Sequence, residues 1–364
     1  MMRPVQIIRE AFLNVTTGAG RALLAAVVIL ATVGLGAVSI SIYGSWVARE
    51  GQEFRQAGAS TYVLRAEDRI DPKRCERLRG LGSIRASGAL RAMPDIAFAS
   101  MPSRTVKSFE ASPNFWTVLK LGTPSAVFRD ISGVWMSSTL AQDIGVEIGD
   151  TAQLLNGPAI RVAGIFTYPD QVNNRELDYA VISPAVSQAA FSQCHIEAWP
   201  ARQQDVSLLL FSLNAEPDSS LEEKVSAPLQ LNTSRGKYFS ADSQWTNAVQ
   251  IAMVGAFIAG FVIGFSWVFS RRLVLSSNLH CGVDRRTLLL MTLTESALLL
   301  GFSCIVWLPI DWYCTNFVST VDAIISFGAG GRVFLAGSAG FVLGIAVGFT
   351  NVKESRLFDY FKAH

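Results

Sequence analysis

Two long apolar runs separated by a short basic loop constrain the fold of this chain more than any other feature. Residues 251–269 contain no charged side chain, and residues 288–310 contain one acid, Glu295, near their start. Each run approaches the roughly 20 residues that a helix needs to cross a bilayer. Because lipid offers no partner to a free backbone N–H or C=O group, both runs are predicted to be transmembrane helices.

Two more apolar runs raise the predicted number of transmembrane helices to four. We place the helices at residues 21–47, 245–270, 288–310 and 332–350. A signal peptide is the alternative interpretation of the first run, but this run is long enough to span a membrane and lacks a clear A-x-A cleavage site. Residues 1–20 are predicted to form an amphipathic lead-in helix, and residues 49–56 a polar extension of the first span.

The distribution of lysine and arginine determines the predicted topology. The loop 271–287 carries four arginines and the tail 351–364 is also basic, whereas the loop 311–331 has neither lysine nor arginine. Positively charged residues favour the cytoplasmic side of a membrane. Both termini and the loop 271–287 are therefore predicted to be cytoplasmic, and residues 48–244 and 311–331 to lie on the outer side.

The segment 48–244 differs in composition from the rest of the chain. Charged residues return, and glycine, proline and serine interrupt the sequence, which is typical of a soluble α+β domain of roughly 200 residues. The predicted fold class is therefore a membrane protein with four transmembrane helices and a large α+β extracytoplasmic domain inserted between helices 1 and 2. Residues 206–213 are predicted to be a strand of this domain. Cys75 and Cys194 could form a disulfide bond if the domain faces an oxidising space.

The segment 134–150 carries the clearest local pattern of the soluble domain. It predicts a strand, a serine or threonine cap, a short helix and turns at Gly145 and Gly149. Two further strands are predicted at residues 151–155 and 160–166. These residues are expected to build the fold rather than to carry chemistry.

The loop 271–287 has a pattern of its own. Leu275 and Leu279 supply an apolar side and the residues between them a polar one, which predicts a short helix. Gly282 is placed to end this helix, and Asp284 to cap the next. The alternative is a charged loop that only fixes the topology, and the pattern leaves both interpretations open.

The last predicted span is rich in glycine. Gly340, Gly344 and Gly348 recur at intervals of four, so they share one helix face on which another helix could approach closely. Alternatively, these glycines face lipid or only add flexibility. Glu295 is a candidate functional acid of the third span, because ionisable residues inside membranes are rare.

Composition and motifs exclude several classes of function. A net charge of +2 gives no reason to expect nucleic acid, and the five cysteines and three histidines show no metal-binding spacing. The chain also lacks the G-x-x-x-x-G-K-[ST] loop that binds nucleotide phosphates. We therefore predict that this chain is not an enzyme by itself, holds no cofactor or metal, and depends on another polypeptide for any ATP hydrolysis.

Two sets of residues resemble the MacB/FtsX/LolC-type permeases of ABC transporters. In the loop and the third span, the matching basic start, glycine, basic pair and early acid are Arg271 or Arg272, Gly282, Arg285, Arg286 and Glu295. In the soluble domain, the residues that match the MacB-like periplasmic core domain are Ser138, Leu140, Ala141, Gly149, Asp150, Val162, Gly164 and Ile165.

This resemblance implies a permease subunit in the bacterial inner membrane. Such a subunit couples ATP hydrolysis by a separate cytoplasmic ATPase, which binds ATP and Mg²⁺, to movement of the extracytoplasmic domain for export or extraction of a substrate. The implied partners are that ATPase, a second permease that is identical or homologous, an extracytoplasmic adaptor or substrate-binding protein, and membrane lipid. Alternatives are an FtsX-like regulator of a cell-wall hydrolase and a membrane-anchored sensor without an ATPase.

The resemblance also assigns a role to the basic loop, as the coupling helix that docks on the ATPase. The residues predicted to take part are Arg271, Arg272, Leu275, Leu279, Gly282, Arg285 and Arg286. In this prediction the two leucines enter a cleft on the ATPase, while the four arginines stay near lipid phosphates.

Overall fold

The structure, a computed structural model, describes residues 22–122, 133–169, 172–185, 189–214, 227–239, 241–320 and 322–352, together with Arg9 and Leu13. Apart from Arg9 and Leu13, the predicted lead-in helix 1–20 lies outside the described residues, as does most of the predicted tail 351–364. The chain divides into a helix unit, Met1–Glu50 with Ser240–His364, and a sheet unit, Gly51–Phe239.

Four of the described helices are long and apolar enough to cross a membrane. They are α1 (Ala22–Gln56), α6 (Ala241–Ser270), α8 (Arg285–Val318) and α9 (Ala323–Thr350). The shortest, α9, has 28 residues, which corresponds to about 42 Å at the rise of an α-helix and exceeds a hydrocarbon core of about 30 Å. The prediction of four membrane-length helices is confirmed.

Helices α8 and α9 together occupy most of the segment that was predicted to be an outer loop. Helix α8 continues past residue 310 to Val318, and α9 already begins at Ala323. The prediction of a loop at residues 311–331 is therefore wrong. Asp311, the first residue of that predicted loop, is fully buried among the helices, where it accepts a hydrogen bond from Ser41.

Helix α1 is continuous but not uniform. A π-helical segment, Leu30–Gly34, lies between the α-helical parts Ala22–Ile29 and Leu35–Gln56. The polar end of the helix extends to Gln56, as the sequence predicts. Within the helix unit, α1, α6, α8 and α9 share one apolar core that includes Val33, Trp307 and Phe341.

Within the described residues, nine strands form one mixed sheet. They are β1 (Thr61–Ile70), β2 (Ile84–Phe98), β3 (Met101–Ala111), β4 (Val134–Ser137), β5 (Thr151–Gln153), β6 (Ala159–Phe166), β7 (Ala180–Pro184), β8 (Phe191–Ala198) and β9 (Leu229–Gln230). Their order is β5-β6-β4-β7-β3-β2-β8-β1-β9. The pairs β3–β7 and β4–β6 are parallel and the others antiparallel. A large domain containing both helices and strands is therefore confirmed.

The segment 134–150 folds as its sequence predicts. Strand β4 leads directly into α4 (Ser138–Ile144), following α2 (Pro72–Arg77) and α3 (Phe115–Gly122) in the chain. The side chain of Ser137 caps α4 by accepting a hydrogen bond from the backbone N–H of Leu140. Gly145 ends the helix with a φ of +75°, a conformation that costs glycine little.

The segment 206–213 is helical, so the predicted strand is wrong. It forms the end of α5 (Gln203–Ser207) and a 3₁₀-helix, Leu208–Ser212. The helical turns bury Leu209 and expose Phe211. A run of consecutive apolar residues does not distinguish a strand from a short helix with one buried face.

A disulfide bond connects Cys75 and Cys194. It joins α2 to β8, and both cysteines are completely buried in a core of the sheet unit. The Cα atoms lie 5.9 Å apart, which is ordinary for a disulfide. Of the two outcomes that the sequence left open, the structure has the bonded one.

Candidate functional site

A short helix, α7 (Arg272–His280), connects the membrane-length helices α6 and α8. It lies within the predicted basic loop, so the prediction of a helix there is confirmed. Gly282 follows with a φ of +88°, in the left-handed region that favours glycine. Asp284 occupies the N-cap position of α8, although its side chain makes no capping hydrogen bond.

Arg271, at the start of α7, forms an ion pair with Glu295 of α8. The guanidinium donates from Nη1 to Oε2 and from Nη2 to Oε1, the latter at 3.5 Å. Glu295 is buried, and Arg271 also lies over the ring of Trp267 at 5.0 Å. The prediction that Arg271 stays near lipid phosphates is therefore wrong, because a buried carboxylate needs a compensating positive charge and this arginine provides it.

Arg285, at the start of α8, contacts the end of α9. Its Nη2 donates to the backbone carbonyls of Phe349 and Thr350, both at 3.3 Å. The last carbonyls of a helix have no partner within the helix and carry partial negative charge, so a cation stabilises them. Arg285 therefore binds a helix terminus although it is exposed, and Arg286 is exposed as well.

The apolar side of α7 packs against the helix unit itself. Leu275 is only 5 % exposed and belongs to the core of that unit, and Leu279 packs against the same core. The prediction that both leucines enter a cleft on another protein is therefore corrected: this face is already covered by the chain. The exposed side of α7 instead presents Val274, which is 55 % exposed, and Ser277.

Helices α6 and α9 approach each other through glycine. A Cβ atom on Gly340 would collide with the carbonyl oxygen of Phe257, and one on Gly344 would collide with that of Phe261. Gly348 is less tightly packed, with a Cβ position 3.1 Å from the side chain of Val268. The glycine face predicted in the last span thus lies against a helix of the same chain.

The partner glycines on α6 were not predicted from the sequence. A Cβ on Gly260 would collide with the carbonyl oxygen of Gly337, and one on Gly264 with that of Phe341. The signal was present in the sequence, because these two residues form a G-x-x-x-G spacing inside an apolar run.

Asp311 is a further residue whose role was not predicted from the sequence. Together with Glu295, it is one of two completely or almost completely buried acids on α8. The signal was an aspartate surrounded by apolar and aromatic residues. Because the helix was predicted to end at residue 310, Asp311 was placed outside it.

The sheet unit carries an open groove of about 600 Å³. It crosses four neighbouring strands, β3, β2, β8 and β1, and its lining includes Ala92 and Phe109. Charged residues also line it, among them Lys107 and the ion pair of Arg65 with Glu176, whose closest atoms are 3.6 Å apart. Apolar and charged groups of both signs therefore meet in one accessible concavity.

Comparison with known proteins does not assign this chain to a family. No protein-family model matches it, and no curated protein matches it. The chain is similar in structure to a domain assigned to a permease from Porphyromonas gingivalis, with 9 % sequence identity and a TM-score of 0.33. The alignment covers 48 % of this chain and 92 % of that domain. A likeness this distant carries no argument about function.

Proposed function

We propose that this chain is the permease subunit of a MacB/FtsX-like ABC transporter, in which a separate cytoplasmic ATPase moves the membrane helices. The observation that carries the proposal is that the two ends of the α7 connection are tied to other helices. Arg271 pairs with Glu295 of α8, and Arg285 binds the final carbonyls of α9. A force applied to α7 would therefore reach two membrane-length helices directly.

The exposed side of α7 is the surface proposed for the ATPase. Val274 and Ser277 lie on that side, while Leu275 on the opposite side anchors α7 to the core of the helix unit. An anchored helix transmits a push, because its buried side chains cannot slide without opening the packed core. The role of Leu275 in this proposal is thus anchoring rather than docking.

The charge distribution and the disulfide bond support the proposed topology. Arginines concentrate in the α7 connection, which is expected of a cytoplasmic loop. The Cys75–Cys194 bond lies in the sheet unit, and disulfides persist in oxidising compartments such as the bacterial periplasm. Both features favour a cytoplasmic α7 and an extracytoplasmic sheet unit in a bacterial inner membrane.

The proposal includes two further partners. A second permease, identical or homologous, would complete the membrane part, since two ATPases acting as a pair need two coupling helices. The groove of the sheet unit offers apolar and charged groups to a substrate or to an extracytoplasmic adaptor, which would move with the domain for export or extraction. In this mechanism the chain holds no nucleotide, and ATP with Mg²⁺ binds to the ATPase.

Co-purification from native membranes tests the proposal most directly. We expect an ATPase with a nucleotide-binding loop, and a second permease, to accompany the protein. A cell-wall hydrolase appearing with the ATPase would favour the FtsX-like regulator instead. Purification without any ATPase would overturn the proposal and favour a membrane-anchored sensor.

A substitution on α7 tests the assigned surface. Val274→Asp places a charge in the proposed contact, and an unpaired charge in an interface costs on the order of 3 kcal/mol, about a hundredfold in affinity. We expect this variant to insert and fold normally but to lose the ATPase. Val274→Thr, which keeps the shape without a charge, serves as the control and should retain it. Normal ATPase retention by Val274→Asp would contradict the assignment.

A further inference from the structure

Asp311 is a buried acid inside a membrane-length helix, and its carboxyl group is poorly satisfied. The residue is completely buried, and its Oδ2 accepts one hydrogen bond, from Ser41 Oγ of α1, at 3.1 Å. The other oxygen, Oδ1, is buried without a hydrogen-bond partner among the described residues. An ionised carboxylate can accept several hydrogen bonds, so most of this capacity is unused.

The helices packed around Asp311 bring oxygen atoms to it but no positive charge. Gly330 of α9 lies so close that a Cβ there would be 3.1 Å from Asp311 Oδ2 and 2.9 Å from the carbonyl oxygen of Ala37, and would collide with the Ser41 hydroxyl. On α8 itself, Thr315 donates to the backbone carbonyl of Asp311. Among the described residues, no titratable or charged side chain contacts the Asp311 carboxyl group from α1, α8 or α9.

More polar groups remain unsatisfied nearby. Ser45 lies one helical turn beyond Ser41 on α1, and its hydroxyl is buried without a partner among the described residues. The indole N–H of Trp245 is also buried without a hydrogen-bond partner among the described residues. A Cβ atom on Gly44 would lie 2.9 Å from the indole nitrogen of Trp245 and 3.0 Å from the Ser326 hydroxyl. This part of the helix unit is therefore polar, in contrast to the apolar core around it.

The other buried acid of α8 provides an internal contrast. Glu295 is equally inaccessible, but Arg271 neutralises it. An uncompensated ionised carboxylate inside a membrane is strongly unfavourable. One buried acid of this helix thus has a counter-charge, Arg271, whereas the other has none among the described residues.

We propose that Asp311 is a binding site for a small monovalent cation, either a proton carried on the carboxyl group or a sodium ion held by oxygen atoms. The available oxygens are those of the Asp311 carboxyl group, the Ser41 hydroxyl and the Ala37 carbonyl. The cation neutralises the acid and allows α1, α8 and α9 to pack around it. This assignment goes beyond the transporter proposal and does not depend on any ATPase.

The stability of the full-length protein in lipid nanodiscs tests the site. Wild type and Asp311→Asn are compared across pH, and in sodium chloride against choline chloride of equal ionic strength. A proton site predicts that acidification raises the unfolding temperature of the wild type relative to the variant. A sodium site predicts the same relative rise when sodium replaces choline. Identical dependence on both conditions in the two proteins overturns the proposal.

Chemical modification gives a second, residue-specific test. Dicyclohexylcarbodiimide enters membranes and adds the O–H of a protonated carboxyl group across one C=N bond; the adduct rearranges to an N-acylurea that retains the whole reagent, so mass spectrometry locates it. We expect several-fold more modification at Asp311 than at Glu295, increasing with acidity, and protection by sodium if sodium is the ligand. Preferential modification of Glu295 would overturn the proposal.

Discussion

At the scale of single residues, the arginines at the two ends of the α7 connection pair with a buried carboxylate and with the carbonyl groups at a helix terminus. Arg271 compensates the buried carboxylate of Glu295, and Arg285 satisfies carbonyl groups at the end of α9. Neither arginine is merely a surface charge that orients the protein in the membrane. Arg271 connects the start of α7 to the interior of α8, and Arg285 connects the start of α8 to the end of α9.

Breaking the ion pair on one side should be more harmful than removing both partners. Arg271→Met leaves Glu295 buried and uncompensated, for which we expect a loss of about 3–5 kcal/mol. Adding Glu295→Leu removes the stranded charge and should restore most of the stability. Thermal unfolding in detergent measures both variants. Equal destabilisation of the single and double variants would show that packing, not charge, is responsible.

His195 should make the sheet unit sensitive to acid. The side chain is buried, with Nε2 3.0 Å from Gln193 Oε1 and the Phe115 ring centroid 5.2 Å away. Burial, and secondarily the charge of Arg65, lower the pKa of His195 from 6.5 to about 3. The unfolded chain therefore binds a proton that the folded chain does not, so stability is complete above pH 6.5 and declines as pH falls toward 3.

The size of this effect follows from the two pKa values. At about pH 5 the loss should be about 2 kcal/mol relative to neutral pH. We expect His195→Gln to lower stability at neutral pH, because it disturbs a packed site, but to show a flatter decline on acidification. Unfolding curves of both proteins across this range provide the measurement. Parallel pH profiles would mean that another group is responsible.

At the scale of secondary-structure elements, the contact of α6 with α9 depends on the absence of side chains. Glycines on each helix lie against backbone atoms of the other, so the axes approach more closely than larger residues would allow. Association in lipid relies on such packing because lipid chains are as apolar as the helices themselves. Close backbone contact therefore replaces the hydrophobic driving force available in water.

Gly344→Leu should separate these two helices. The new side chain would meet the backbone of Phe261, which cannot move aside without displacing α6. We expect a clear loss of thermal stability in detergent and a lower yield of monodisperse protein. Gly255→Leu is the matched control, because a Cβ there has no neighbouring atom within 4 Å among the described residues. Equal behaviour of the two variants would contradict a packing role for Gly344.

The sequence predicted the elements whose signals are local and missed those that depend on tertiary contacts. The four apolar helices, the capped helix after β4 and the glycine that follows α7 were all evident in the pattern. The inward orientation of Leu275 was not, because an amphipathic helix of nine residues does not indicate which partner covers its apolar face. Asp311 was missed for a related reason, since a polar residue inside an apolar run resembles the end of a span until its buried partner is known.

At the scale of the whole molecule, the proposed topology assigns opposite sides of the membrane to α7 and the sheet unit. We expect a cysteine at Asn156, in a background that lacks Cys281, Cys304 and Cys314, to react with an impermeant thiol reagent on spheroplasts. A cysteine at Ser277 should react only after lysis. Both positions are exposed in the structure, so burial does not explain a failure to react. The reverse pattern would exclude the proposed orientation.

The pairing of β1 has a consequence for how the protein is made. Its two neighbours in the sheet are β8 and β9. Of the described strands, the first to be synthesised therefore cannot pair until the last two have been made. Cys75 and Cys194 are 119 residues apart, an interval of about 6 to 24 s at bacterial rates of elongation. During that time the early strand has an unpaired edge and the early cysteine a free thiol. The first third of this domain therefore cannot complete its fold until the last third has been synthesised.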